Sequence, residues 1–131
     1  MITAVDTSIL LDVFMADTRY GERSKSWLRA AYDAGAIVVC DIVYSELVPA
    51  FRDRSVLDRA LREINTAASP IDTAVAYEAG IRWKRYRQAG GPRNRIITDF
   101  LIGAHAVTVA DNFLTRDRGF YATYFPKLMK P

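Results

Sequence analysis

The run AIVVC, residues 36 to 40, is apolar at every position, and three of its five residues are β-branched. A strand of this kind has no polar face to turn to water. It belongs in a parallel sheet covered by helices on both sides. The rest of the chain supplies suitable partners. ITAV (2–5), AASPI (67–71) and NFLT (112–115) are further short β-type runs, and YFPKL (124–128) reads as a last edge strand, where Pro126 is tolerated. Between them lie helical stretches at SILLDVF, RSKSWLRAAYDAG, IVYSELVPAF, SVLDRALREI, Thr73 to Gln88 and TDFLIGAHAV. Thr7 or Ser8, Asp41, Ser55 (with Asp58 three residues on), Asp72, and Thr98 or Asp99 are the expected N-caps. Gly35 closes one helix and Gly90-Gly91-Pro92 breaks another. Strands alternating with helices predict an α/β fold of three layers, α/β/α, around a central, mostly parallel sheet.

With 131 residues, half of them apolar, and no linker or repeat, residues 1–131 form one domain. The N-terminal run MITAVDTSILLDVFMA is interrupted by Asp6 and Asp12 and has no basic start, so neither a signal peptide nor a membrane helix is expected. A cytoplasmic protein that avoids membranes follows as an expectation. One cysteine and one histidine exclude an internal disulfide and any metal site built on several thiolates or imidazoles. Cys40 reads as a buried, inert thiol. A metal here needs oxygen ligands, which points to Mg2+ or Mn2+.

In parallel sheets, ligands bind beyond the carboxyl ends of the strands. Asp6 ends the first strand and Asp117 follows NFLT by two residues, while Glu46 lies about one turn into the helix after AIVVC. Asp99 opens the helix that leads to NFLT and reaches the same edge only if the tertiary fold swings it there. If the four converge, their repulsion calls for a cation. A hard divalent ion there serves phosphodiester hydrolysis. Ser8 and Thr115 stand beside the strand-end acids, either orienting the site or serving as helix cap and strand end.

These pieces, ITAVDTSILLDVF, VYSELV, ITDFLIGAHA and FLTRDRGFY, occur in an order that resembles PIN-domain nucleases, and more closely VapC-type toxin ribonucleases of toxin–antitoxin modules. The resemblance spans nearly the whole chain. It implies an acidic quartet at Asp6, Glu46, Asp99 and Asp117 acting as both catalytic and metal-holding residues, with Thr115 as the hydroxyl beside the last acid. It further implies a PIN-like fold, Mg2+- or Mn2+-dependent RNA cleavage, a homodimer and a small cognate antitoxin. RSKSWLRAAY and SVLDRALREI either border an antitoxin groove or simply face the core.

Net charge is +3, with pI about 9.2. Arg82, Lys84, Arg85, Arg87, Arg93 and Arg95 lie between Gly80 and Asp99 without an acidic residue, interleaved with Trp83 and Tyr86. This is either a phosphate-binding strip or a solvated helix face with Trp83 on the core side. Arg93, Arg95, Arg116 and Arg118 are the candidate RNA-binding residues, although Arg116 and Arg118 serve equally well as partners of Asp117. Asp12 faces solvent, pairs with a neighbouring helix or approaches the site. His105, about 240° round the helix from Asp99, points away from the acids. The absence of glycine in VDTSIL excludes a dinucleotide site. An aspartyl-phosphate hydrolase wants an acid where Ser8 stands. A catalytically silent PIN-like module that binds RNA or protein is the remaining alternative.

Overall fold

A computed structural model describes residues 1–92 and 95–129. The sheet has four strands, β1 (Ile2–Val5), β2 (Ala36–Cys40), β3 (Thr66–Ser69) and β4 (Asn112–Leu114), ordered β3-β2-β1-β4. Every pairing among them is parallel. Seven α-helices connect and cover them: α1 (Thr7–Phe14), α2 (Gly21–Ala34), α3 (Asp41–Leu47), α4 (Arg54–Glu63), α5 (Thr73–Gln88), α6 (Ile97–Val109) and α7 (Arg118–Tyr124). The architecture is the expected three-layer α/β/α arrangement. None of the described helices is long and apolar enough to cross a membrane.

The chain steps from β1 to β2 to β3, then returns through α5 and α6 to place β4 on the far side of β1. Right-handed crossovers put helices from the two directions of travel on opposite faces of the sheet. α2 accordingly packs on β1 and β2, and α6 on β1 and β4. Thr3, Ala4 and Val5 are all buried, as a strand covered on both faces requires. The direction of travel reverses at β1, so the crevice between the carboxyl ends of β1 and β4 is the topological switch point of the fold.

Several caps differ from expectation. Asp6, not Thr7 or Ser8, caps α1, its Oδ1 accepting from the Thr7 amide at 2.8 Å. Asp53, not Ser55, caps α4 by accepting from Val56 N–H at 3.1 Å, and Ser55 donates to it. Asp41 is the first residue of α3, and its carboxylate accepts from the Ile71 amide at 3.0 Å instead. α6 starts at Ile97 with no side-chain cap, so neither Thr98 nor Asp99 fills that role. Asp72 does cap α5, accepting from Val75 N–H at 2.9 Å. Pro49 ends α3 early, and Val48–Ala50 form a 3-10 turn.

YFPKL is not a strand. Residues 118–124 form α7 and Pro126–Met129 a 3-10 turn. Their apolar side chains are satisfied by packing on α6 rather than by a sheet edge. Phe100, Phe120, Tyr121, Tyr124 and Phe125 meet with ring centroids 4.9–6.4 Å apart. Trp83 packs against the core and Tyr86 is buried, so these two aromatics of α5 face inward, whereas Tyr77 is exposed. Cys40 is buried, and burial pushes its thiol pKa up, consistent with an inert side chain.

Gly103 of α6 lies against the ring of Phe125, where an added Cβ would come within 2.6 Å of two ring carbons. Phe125 is fully buried and held in the aromatic cluster, so it has little room to retreat. Gly103→Ala is expected to destabilise the domain by about 1–3 kcal/mol. Urea unfolding should show a lower midpoint at unchanged slope; an unchanged midpoint would mean that the turn after α7 yields freely.

Candidate active site

Four elements deliver the acids to one place. Asp6 follows β1, Glu46 lies on α3, Asp99 on the first turn of α6, and Asp117 just before α7. All four line a single open cleft of about 450 Å3, together with Thr7, Ser8, Ile102 and Arg116. The cleft sits at the switch point, beyond the carboxyl ends of β1 and β4.

The β1–β4 pairing continues into the site. Asp6 donates its amide to Leu114 O at 2.9 Å, one step beyond the Val5–Leu114 register. That brings the fully buried Thr115 beside Asp6, where its hydroxyl donates to Asp6 Oδ2 at 2.7 Å. The same hydroxyl accepts from the Asp117 amide at 3.0 Å. Thr115 therefore ties two acids together. Both Asp6 oxygens are engaged, one by Thr7 N–H and one by Thr115.

Glu46, on the exposed rim, is oriented by Thr7, whose hydroxyl donates to Oε1 at 2.7 Å. Nothing in the local sequence distinguishes Thr7 for this role, because its partner is 39 residues away. Ser8 lines the cleft, and its buried hydroxyl has no hydrogen-bond partner among the described residues. It caps no helix.

The arginines divide differently from expectation. Arg95, not Arg116 or Arg118, pairs with Asp117, Nη1 lying 2.6 Å from Oδ2. The same Nη1 is 3.9 Å from Asp99 Oδ2. Its guanidinium rests on the Phe120 ring at 4.3 Å. Arg116 turns the other way, onto Asp12 at 3.0 Å, with its guanidinium over Tyr20. Asp12 is buried and also accepts from Ser24 Oγ of α2 at 2.7 Å, so it pairs with a neighbouring helix rather than facing solvent. Arg118 is exposed and makes no ion pair among the described residues. Arg93 lies outside the described residues. His105 is buried away from the acids, its Nε2 2.9 Å from Ser69 Oγ, and burial lowers its pKa.

Burial raises the Asp6 pKa above the ordinary aspartate value, and the charges of Glu46 and Asp99 add to the rise, against the hydrogen bonds from Thr115 and Thr7. Burial raises Asp99 as well, opposed by Arg95 and reinforced by Asp117. A donor set of carboxylate oxygens, three of the residues part-buried and Glu46 exposed at the rim, fits a hard divalent cation and no soft one. Among the described residues no three of these groups are already gathered tightly enough to enclose an ion.

A carboxyl whose pKa is raised on folding favours its protonated form in the native state. Stability is then greatest below the unfolded value and falls as pH rises through the folded one. Asp99→Asn should therefore raise Tm at pH 7, by roughly 2–5 °C. The advantage over wild type should shrink as pH drops towards the ordinary carboxylate range. Melting curves across that range test the sign; a variant less stable at pH 7 would mean that the Asp99 carboxylate is net stabilised by its surroundings.

A family model for the PIN domain matches residues 3–126. Solved structures share the fold at low sequence identity. VapBC2 from Rickettsia felis, bound to a DNA fragment from their promoter, superposes with a TM-score of 0.72 at 18% identity, covering 98% of this chain and 96% of that one. FitAcB from Neisseria gonorrhoeae gives 0.68 at 20% identity over 95% and 93%. VapC20 from Mycobacterium tuberculosis, a sarcin–ricin-loop-cleaving toxin, gives 0.64 at 15% over 92% and 94%. No curated protein matches the chain in sequence.

Proposed function

The chain belongs to the PIN-domain family, and from that membership we propose that it is a Mg2+- or Mn2+-dependent endoribonuclease, the toxin of a toxin–antitoxin pair. The observation that carries this reading is the meeting of Asp6, Glu46, Asp99 and Asp117, from separate parts of the chain, in one cleft at the switch point of the sheet. Four carboxylates in a shared cleft repel one another and oppose folding unless a cation compensates them.

When bound, a divalent ion supplies positive charge for the phosphodiester and a nucleophilic water at neutral pH. The four acids would hold it. Thr115 fixes the rotamer of Asp6 and the position of the Asp117 backbone, and Thr7 fixes Glu46, so Asp6 and Glu46 present their oxygens in a defined direction. Glu46, the most exposed of the four, orients the attacking water or serves as a further ligand. Water attack in line with the leaving oxygen yields a 5′ phosphate and a 3′ hydroxyl. Ser8, its hydroxyl buried in the cleft wall, would orient a carboxylate or a bound water. The exposed Arg118, next to Asp117 in sequence, would meet the RNA together with Arg116 once the latter leaves Asp12. VapC20, a sarcin–ricin-loop-cleaving toxin, has the same fold.

A second surface suits the antitoxin. A groove of about 320 Å3 between α1, α2, β2 and the end of α4 is floored by Val13, Leu28, Ile37 and Ile64, with Tyr32 at its edge. It accepts the apolar stripe of an amphipathic helix. As the resemblance to VapC toxins implies, the working form is a cytoplasmic homodimer bound by that partner until released.

Purified protein should cleave a mixed RNA pool with Mg2+ or Mn2+ and not with chelator, and Asp99→Asn should fall to background. Cleavage shared equally by Asp99→Asn would remove Asp99 from the site, and a 2′,3′-cyclic phosphate product would replace water by the 2′-hydroxyl as nucleophile. Thr115→Val, which leaves the acids in place but frees Asp6, should lower the rate by about 10–100-fold. A rate equal to wild type would deny Thr115 its positioning role.

A further inference from the structure

Arg95 is bound to the acids more closely than any other basic residue described. Its Nη1 touches Asp117 and approaches Asp99, four residues on in the first turn of α6. It is the only described cation paired with any of the four, since Arg116 is taken by Asp12. One positive charge cannot balance four carboxylates, and both Arg95 and its partners are part-exposed, at 28% for Arg95 and 41% for Asp117. Such a pair gives way readily to a doubly charged competitor.

The seat of the guanidinium makes that exchange simple. The Phe120 ring beneath it is itself packed edge-on against Phe100 and Tyr121. The cation therefore keeps its aromatic contact while its donor edge turns from one oxygen to another. Asp117 also has a fixed backbone, held through its amide by Thr115, so losing Arg95 releases an oxygen without moving the residue. A freed guanidinium presents a fork that matches a phosphodiester bidentately.

We infer that Arg95 is a tethered counter-ion of the acidic cleft: it yields Asp117 to an entering divalent ion and transfers its guanidinium to a phosphate of the RNA. This rests on the nuclease reading of the cleft and extends it by assigning one residue to both the resting and the loaded site. The rival explanation is that Arg95 is a clamp that shapes Asp117 for the ion. The two differ in sign, because a competitor weakens ion binding and a clamp strengthens it.

The test is calorimetric titration of Mn2+ into wild type, Arg95→Gln and Arg95→Lys, with no RNA present. Arg95→Gln should bind Mn2+ roughly three- to tenfold more tightly. Arg95→Lys keeps the charge but not the fork or the planar stacking, and should stay close to wild type. At saturating Mn2+, both variants should show a raised apparent KM for RNA, and for Arg95→Gln the dependence of log KM on log salt should be shallower by about one phosphate contact. Circular dichroism establishes that each variant is folded. Mn2+ affinity unchanged or weaker in Arg95→Gln overturns the competition, and an unchanged KM overturns the transfer to phosphate. If none of the three folded proteins binds Mn2+, the assignment of the cleft to a divalent ion fails, and this inference with it.

Discussion

The parallel pairing of β1 with β4 brings residues far apart in sequence into hydrogen-bond reach, and the acidic cleft depends on it. The ladder does not stop where the strands do. The Asp6 amide still donates to Leu114 O, and Thr115 then bonds the Asp6 carboxylate. At the other end of the strands, Asp111 exchanges bonds with Ile2, its amide donating to Ile2 O and its carboxylate accepting from Ile2 N–H. Both ends of a three-residue strand are thus locked in register. A slip by one residue would turn Phe113 out of the core and separate Thr115 from Asp6.

That locking matters because the cleft works against the fold. Desolvation and like charge act on Asp6 and Asp99 together. The apolar layers around them must outweigh this, and the residues nearest the acids are packed accordingly. Val5, Ile9 and Leu10 are almost wholly buried on one side, and Phe100 and Tyr121 on the other. The Asp12–Arg116–Ser24 contacts serve a different end. They bury a fifth carboxylate with its own cation and hydroxyl, so that Asp12 is compensated separately from the cleft although it lies on α1, which opens beside Asp6.

Much of this was legible in the residues. AIVVC demanded a two-sided sheet, and β1, β2 and β4 fall within one residue of their apolar runs. The rule that parallel sheets bind beyond their carboxyl ends placed Asp6, Glu46 and Asp117 on one edge. Asp99 needed the fold, because the packing of α6 on α5 and β4 decides where its first turn lies. The last helix was misread for a local reason. Tyr124, Phe125 and Pro126 look like an edge strand, yet Phe120, Tyr121 and Tyr124 form a helical stripe once Gly119 is accepted inside the helix. Phe125 and Leu128 continue into the core from the turn that follows. The pairings Thr7–Glu46 and Arg95–Asp117 cross 39 and 22 residues, and no local pattern encodes them. The sequence between Arg116 and Arg118 suggested partners for Asp117 by adjacency, but neighbours on the turn into α7 diverge, and the cation arrived from another loop.

The anchoring of α6 explains why mobility in the cleft should fall on Arg95 rather than on the acids. Asp99 sits at the start of a helix held along its length by independent contacts. Phe100 is enclosed by aromatic rings, Gly103 admits Phe125 at close range, and His105 bonds Ser69 at the end of β3. Burial lowers the His105 pKa and so favours its neutral form in that contact. Asp6 is held at both oxygens and Asp117 through its backbone. Arg95 precedes α6 and is joined to the site by a side chain with several rotatable bonds and a ring to lie on. Rigid acids with one movable cation let the electrostatic balance of the cleft change without moving its frame.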